Sequence, residues 1–571
     1  MHIRKFLVHV SIFTIAVVLT DSAHSQSLPV PSSADASRLA NPEKPLSFTL
    51  TNRGAAPSKP KFIETPKPEN ADQITLTLQS VTVQGAELYG ADDLAHLWAE
   101  QLGQNIALSD VYAIADRVTK FYQDKGYILA RAYIPAQEID SGNVTIAVAE
   151  GKIGDVRFEG PFKLVGPLAR AIEDMRTRSP LEIKRVERWT LHLNDFYGAQ
   201  FRVLFKSAAE FNDPAIPEDS VVLVLIGERR NPVEAAMTFD NSGSRFLGSN
   251  TVTATAAINY GDPHFQRTQV TLTQSTQRDE LKIAAIEHAI PLSANGFELK
   301  LDAQTIQGRP AYSLENLEIE SKSKQVGVAL EWTPIRQRDE TLTLRGKFDA
   351  QNADTHIMGD PFSEDNIRVV RLAARYETLT PGAITAAELR LDRGFEKLLG
   401  ASERGDLDLS RAEGRPDFTK FGASISRRQQ ILQDYEISGD MIAQYSGTPL
   451  LSSEEFGYGG AGFGRAYDPS EIVGDKGLAA SVELRHAPFD FAYADIQPFV
   501  FYDFGKVWNL DAGQPKAESG ASAGFGARAA AGNSLNASVA FAKPLTRSIS
   551  TPQGYSDKDG PRVQFNLTAK Y

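Results

Sequence analysis

The last ten residues read Arg562-Val-Gln-Phe-Asn-Leu-Thr-Ala-Lys-Tyr571. Side chains alternate along a strand with a period of two, so Val563, Phe565, Leu567, Ala569 and Tyr571 share one face and Arg562, Gln564, Asn566, Thr568 and Lys570 the other. Phe297-Glu-Leu-Lys-Leu-Asp-Ala-Gln304 repeats the pattern, with apolar odd positions and polar even ones. One face suits lipid and the other water. From Pro232 to Tyr571, segments of about ten residues alternate in this way between clusters of Gly, Asp, Asn and Pro, the signature of an outer-membrane barrel. A soluble β-sandwich would alternate too, but would have to bury repeated charges over many strands. The region, residues 230–571, allows about 16 antiparallel strands in an all-β transmembrane barrel, with Tyr571 as an aromatic C-terminal residue.

Working outward, the other end of the chain fixes the compartment. Arg4 and Lys5 precede an apolar run from Phe6 to Leu19 and the small-residue site Ala23-His-Ser25, so residues 1–25 read as a secretory signal peptide. No later run approaches the roughly 20 apolar residues of a membrane-spanning helix. The exported chain has no cysteine and therefore neither a disulfide framework nor a thiolate metal site. Its net charge of −12 argues against a nucleic-acid partner, whose phosphates need a basic face. Residues 26–72 carry eight prolines by Pro68 and read as an extended linker, with only Ser32 to Ala40 compatible with a short helix.

Two modules lie between linker and barrel. In residues 73–151, an alternating strand from Ile74 to Val83 precedes two helices. One places Leu94, Leu97, Trp98 and Leu102 on a face; the other starts at the N-cap candidate Ser109 and aligns Val111, Ile114, Ala115, Val118 and Tyr122. Strands Tyr127 to Ile134 and Asn143 to Val148 complete a β-α-α-β-β unit. Residues 152–229 repeat this order, a tandem of small α+β domains rather than a solenoid.

These modules carry a resemblance. Phe121-Tyr-Gln-Asp-Lys-Gly126-Tyr127, Pro135, Gln137 and Val148-Ala-Glu-Gly151 resemble the polypeptide-transport-associated (POTRA) domain of two-partner secretion transporters. Val186 to Gly198, with Leu193 and Asn194, is similar to the second helix of that family's second POTRA domain.

Within the barrel region, residues 456–477 form a glycine-dense stretch, Phe456-Gly-Tyr-Gly-Gly-Ala-Gly-Phe-Gly-Arg465-Ala-Tyr467, followed by the aromatic strand Phe499-Val-Phe-Tyr-Asp503-Phe-Gly505. The glycines match a dinucleotide fingerprint in spacing only, because no buried parallel strand precedes them and Pro469 and Gly474 interrupt any following helix. Asp503-Phe-Gly505 lacks the other parts of a kinase. No histidines have metal-ligand spacing, and Glu287 and His288 face opposite sides of a strand. These readings give no catalytic residue, metal or cofactor. Alternation turns Asp503 toward the lumen with Phe499 and Phe501, since a carboxylate facing lipid is costly. Gly505, on the same face, leaves room for another chain to approach. A glycine-rich loop can fold back into a barrel, and an arginine can grip a carboxylate through two parallel hydrogen bonds. Spacing permits this pairing without assigning it; a solvated Arg465 and a pore-lining Asp503 fit as well.

The resemblance extends here and favours the pair. The stretch resembles the sixth extracellular loop of the two-partner secretion transporters, and the strand their aromatic-Asp-Gly strand. This implies a latch of Arg465 and Tyr467 on the loop tip and Asp503, with Gly505, on the wall. Gly464 stands where that family has valine and Ala466 where it has glycine, so a positive φ at Ala466 would be strained. The family implies a non-enzymatic transporter in the bacterial outer membrane with periplasmic POTRA domains. Its partners would be a large exported protein such as an adhesin or haemolysin, outer-membrane lipid, and the barrel assembly machinery during biogenesis. Rival readings are a protein insertase of the same superfamily and a passive porin or receptor. A plug helix, known in some members, has only Ser32 to Ala40 to form from and is not expected.

Overall fold

The computed structural model describes residues 30–40, 44–49, 67–139, 141–177, 181–211, 213–217, 220–277, 279–491, 493–549 and 560–571. The expected signal peptide lies outside them.

Sixteen antiparallel strands close into a barrel that runs from Val233–Asp240 to Arg562–Lys570. One of the sixteen is broken: Lys476–His486 resumes after Ala487-Pro488 as Phe489–Phe491, and both parts pair with Ala494–Trp508. Proline has no N–H to give the ladder, so pairing stops there. The alternation places side chains as expected. On the strand Glu320–Arg336, Val326, Val328, Leu330 and Trp332 are exposed outward, while Ser323, Gln325 and Glu331 are buried inward. At the closing seam the last strand meets the first over five residue pairs, Asn566↔Asp240 to Lys570↔Ala236.

The first small unit has a three-stranded sheet in which Asn143–Ala149 lies between Ser80–Gln84, parallel to it, and Arg131–Tyr133, antiparallel. The strand expected from Ile74 to Val83 is divided, because Thr75–Thr77 leaves this sheet to pair with Asn105–Ala107. The first expected helix is one α-turn, Ala91–Leu94, followed by two 3-10 turns. The second helix, Leu108–Asp124, buries the expected face of Val111, Ile114, Ala115, Val118 and Tyr122. Ser109 is not its N-cap. The cap is Ala107, whose amide donates to the Asp110 carboxylate at 2.9 Å, so an acid in the first turn does the capping.

The second unit repeats the sheet with Val221–Arg229 between Ile153–Glu159 and Ala199–Ser207, covered by helices Gly166–Arg176 and Ile183–Asn194. The singled-out motif residues build these units. The Gln137 amide clamps the Thr145 backbone through both its oxygen and nitrogen, at 2.7 Å each, and also reaches the Pro135 carbonyl. Asn194 does the same to Phe201, at 2.8 Å each. Leu193 is fully buried, and Gly151 takes φ +72° where a Cβ would strike Leu129. Gly126 and Tyr127 join the two units, because the Gly126 carbonyl accepts the Ile183 amide at 2.9 Å and the Tyr127 hydroxyl meets Glu182.

The second unit is keyed to the barrel. The turn between the strands Thr251–Gly261 and Gln266–Ser275 inserts Phe265 into the unit's own core, where its ring stacks on Phe196 at 5.0 Å and meets Phe162 and Phe201 edge-on. Arg336, the last residue of the strand Glu320–Arg336, holds Asp195 through two bonds of 2.9 and 2.7 Å. His192 is buried beside Gly296 of a second turn, where a Cβ on the glycine would lie 2.5 Å from its ring.

Burial depresses the His192 pKa to about 4, with Asp195 opposing and Arg336 and Arg188 reinforcing the shift. An unfolded histidine titrates near ~6.5, so between there and the folded pKa the unfolded chain binds the extra proton. The stabilisation from neutral His192 is therefore complete above about pH 6.5 and is lost as pH falls toward about 4. Amide protection factors across Ile183–Asn194, which correct for the slower intrinsic exchange in acid, should fall over that window, and His192→Gln should flatten the response.

Residues 30–40 and 44–49, read as linker, lie in the lumen. Ser32–Ala34 and Ala36–Ala40 form short 3-10 turns, with Ala34 packed on Phe246, Leu314 and Ile319, and Ala36 on Leu247, Leu281 and Ile306. Their small side chains fit between the loops, and Arg38 reaches Glu455 at 2.7 Å. Proline content excluded a long helix, but a pair of tight turns needs none.

Candidate functional site

The chain between the strands Tyr435–Ser446 and Lys476–His486 folds back into the lumen. Phe456–Tyr458 and Ile472–Gly474 pair antiparallel as its stem, and the Tyr467 amide bonds the Gly464 carbonyl at 2.9 Å to close a turn at its tip. The left-handed residue of this turn is Gly464, at φ +82°, whereas Ala466 does not have a positive φ. The expected strain at Ala466 is therefore absent: the glycine has moved to the other side of Arg465, and the methyl of Ala466 is buried.

Arg465 reaches Asp503. Its Nε donates to Asp503 Oδ2 at 3.0 Å and its Nη2 to Oδ1 at 2.6 Å, with the Arg465 amide adding a third bond to Oδ2 at 3.0 Å. The Asp503 side chain is 0% exposed and that of Arg465 7%. Alternation explains the remaining shell, because Ser481 and Ser522 are the cross-strand partners of Asp503 on the same inward face. Both hydroxyls bond its carboxylate, at 2.8 and 3.2 Å. Glu483, one inward position along from Ser481, accepts from Arg465 Nη1 and also from Arg485 and Arg528. The guanidinium lies 3.5 Å from the centre of the Phe501 ring, a cation–π contact in a water-poor site. Paired hydrogen bonds, a stacked face and a buried partner fix position as well as charge.

Tyr467 is fully buried, and its hydroxyl donates toward the carbonyls of Ala521 and Arg547 at 3.0 and 3.1 Å. Gly505 is explained by Tyr458, whose ring fills a socket made of Gly464, Gly505 and Gly520. A Cβ on these would lie 2.6, 2.0 and 2.9 Å from the ring. Arg465, Tyr467, Asp503 and Gly505 thus belong to one packed site.

Several participants carry no sequence signal beyond alternation. Glu483 is one, legible only as an inward position two residues from Ser481. The others are the loop's own acids. Asp468 is held by Arg245 and Arg562, Asp475 by Arg411, Glu455 by Arg38 and Arg411, and Glu454 by Arg371 and Lys420. The loop presents an arginine at its tip to acids on the wall, and acids along its arms to cations of the wall, of other loops and of the leader. Among the described residues, no group of three or more His, Asp or Glu side chains is arranged to hold a metal ion.

Comparison with known proteins places this architecture. A family model described as haemolysin secretion/activation protein ShlB/FhaC/HecB matches residues 218–529, and one described as POTRA domain, ShlB-type, matches residues 76–151. The heme/hemopexin transporter protein HuxB of Haemophilus influenzae is 21% identical over 475 residues, covering 80% of this chain and 81% of its own. The outer membrane transporter CdiB of Dickeya dadantii is 21% identical over 416 residues, covering 72% of each. The solved structure of CdiB from Escherichia coli superposes with a TM-score of 0.70 over 94% of this chain and 95% of that one, at 18% identity.

Proposed function

The chain belongs to the haemolysin secretion/activation protein family ShlB/FhaC/HecB and is an outer-membrane transporter of the two-partner secretion type with POTRA domains in the periplasm, and on that premise we propose that it carries one large exported protein through the barrel to the cell surface under control of the Arg465–Asp503 latch. The family is one of transporters rather than enzymes. In this reading the POTRA domains receive the unfolded partner by adding its strands to a sheet edge, where backbone pairing gives affinity with little demand on sequence. The strands Ser80–Gln84 and Arg131–Tyr133 are such edges. The loop then leaves its luminal position, and the polar lumen becomes the path.

One observation carries the gating role: an arginine at a loop tip is joined by three hydrogen bonds to a fully buried wall aspartate. A passive pore needs no such loop. The test is to look beside this gene for a very large exported protein and to co-express it with the chain. That protein should reach the medium or cell surface with the intact chain and not after deletion of residues 73–151. A general fall in outer-membrane proteins on depletion of the chain would instead favour an insertase.

A further inference from the structure

The lumen wall binds residues 44–49 of the chain's own leader, Lys-Pro-Leu-Ser-Phe-Thr, largely through their backbone. The Leu46 amide donates to Ser426 Oγ at 3.1 Å. Arg375 Nη2 donates to the Ser47 carbonyl, and the same guanidinium holds Glu377 in place through Nε at 2.9 Å. Glu377 in turn accepts from both the amide and the hydroxyl of Thr49, each at 2.9 Å. Phe48 lies beneath Arg428, 4.9 Å from the guanidinium carbon to the ring centre. Ser426 and Glu377 are buried, on strands that flank the strand Ala383–Phe395 on either side. Three of these contacts read backbone groups, which an unfolded polypeptide of any sequence can offer, while one reads an aromatic face and one a hydroxyl, which select among sequences.

The position of this track gives it a second role. Pro45, Leu46 and Phe48 line a cavity of about 280 Å³ whose other walls include Arg465, Glu483, Arg485 and Arg528. The leader therefore occupies the space directly beside the latch. We propose that the Arg375–Glu377–Ser426–Arg428 track is a binding site for an extended segment of the exported protein carrying an aromatic followed by a hydroxyl residue, and that residues 44–49 occupy it as an internal mimic in the resting state. The proposal rests on the secretion reading above. Entry of the partner and departure of the leader become one exchange, in which each buried wall group trades one backbone partner for another and is not left unpaired.

The full-length protein in planar bilayers, carrying Phe48→Gly and Thr49→Gly, tests this. These changes remove the ring and hydroxyl contacts and loosen the leader's hold on the track, so resting conductance should rise while export persists. A synthetic peptide of residues 44–49 should then bind this variant and lower its conductance. Adding Glu377→Ala removes an acceptor of two hydrogen bonds to a charged group, and peptide affinity should fall about tenfold or more. Arg428→Ala, which changes an exposed side chain, should weaken binding by a smaller factor and serves if Glu377→Ala fails to assemble. Equal peptide binding with and without these wall residues overturns the site. In export, Glu377→Ala alone should be deficient although it too loosens the leader; export equal to that of the leader variant means the wall serves only the leader and overturns the proposal. Glu377-dependent peptide binding in a chain that exports nothing would count against the secretion reading and not against the track.

Discussion

Arg465→Ala should abolish most export while the barrel remains at normal abundance in the outer membrane. Removing the guanidinium leaves the Asp503 carboxylate fully buried with only the Ser481 and Ser522 hydroxyls and one backbone amide near it. Breaking a buried pair from one side costs about 3–5 kcal/mol. Glu483 feels much less, since Arg485 and Arg528 continue to neutralise it. The loss therefore falls on the docked position of the loop and not on the wall. Each ~1.4 kcal/mol is a factor of ten, so the population of correctly docked tips should drop roughly a hundredfold or more. Arg465→Lys keeps the charge but loses the planar two-bond grip and the Phe501 stack, and should fall between the two. Export of the partner and protease sensitivity of residues 456–474, measured on the same cells, check this. Wild-type export from Arg465→Ala would rule out the latch.

The second large effect is expected at a residue far from the lumen. Phe265→Ala should loosen the second small unit, residues 152–229, from the barrel and lower that unit's stability by about 3–5 kcal/mol, the cost of deleting a buried aromatic from a packed core. The ring is 0% exposed and stands among Phe162, Phe196 and Phe201. The Arg336–Asp195 pair is half open to solvent on the acid's side, with Asp195 45% exposed, and cannot replace it. A cysteine pair placed at Arg170 and Leu292, where the long arginine side chain reaches the Leu292 carbonyl at 2.9 Å in the intact protein, should be bridged by a short bifunctional maleimide efficiently in the parent and poorly in the variant. Undiminished cross-linking would show that polar contacts alone hold the junction.

Much of this was legible from alternation. A period of two over more than three hundred residues leaves few other folds once the inward charges are counted, and it turned Asp503 inward along with Phe499 and Phe501. The helix face from Val111 to Tyr122 followed from the 3.6 period in the same way. Features made by chain segments distant in sequence were not legible. Phe265 reads as a turn residue, because nothing local says that another domain's core lacks a ring. The leader's prolines correctly exclude regular structure, yet an irregular chain can still be bound if the wall supplies partners for its backbone. Ser109 matched a capping preference, but the helix begins two residues earlier, where Asp110 accepts the Ala107 amide from inside the first turn. At the loop tip, the position of the positive φ depends on which side of Arg465 must clear Tyr458, a three-dimensional fact.

The contacts of Asp468 order events in time. Its two arginines come from the loop after the first barrel strand and from the last strand, Arg245 and Arg562. Gln564, also on the last strand, donates to the Arg465 carbonyl at 2.9 Å. These partners are brought together only when the C-terminal strand has met the N-terminal one across a seam of five residue pairs. Complete docking of the loop is thus tied to closure, and a barrel still waiting for its final strand lacks the Arg562 and Gln564 contacts that finish the resting state.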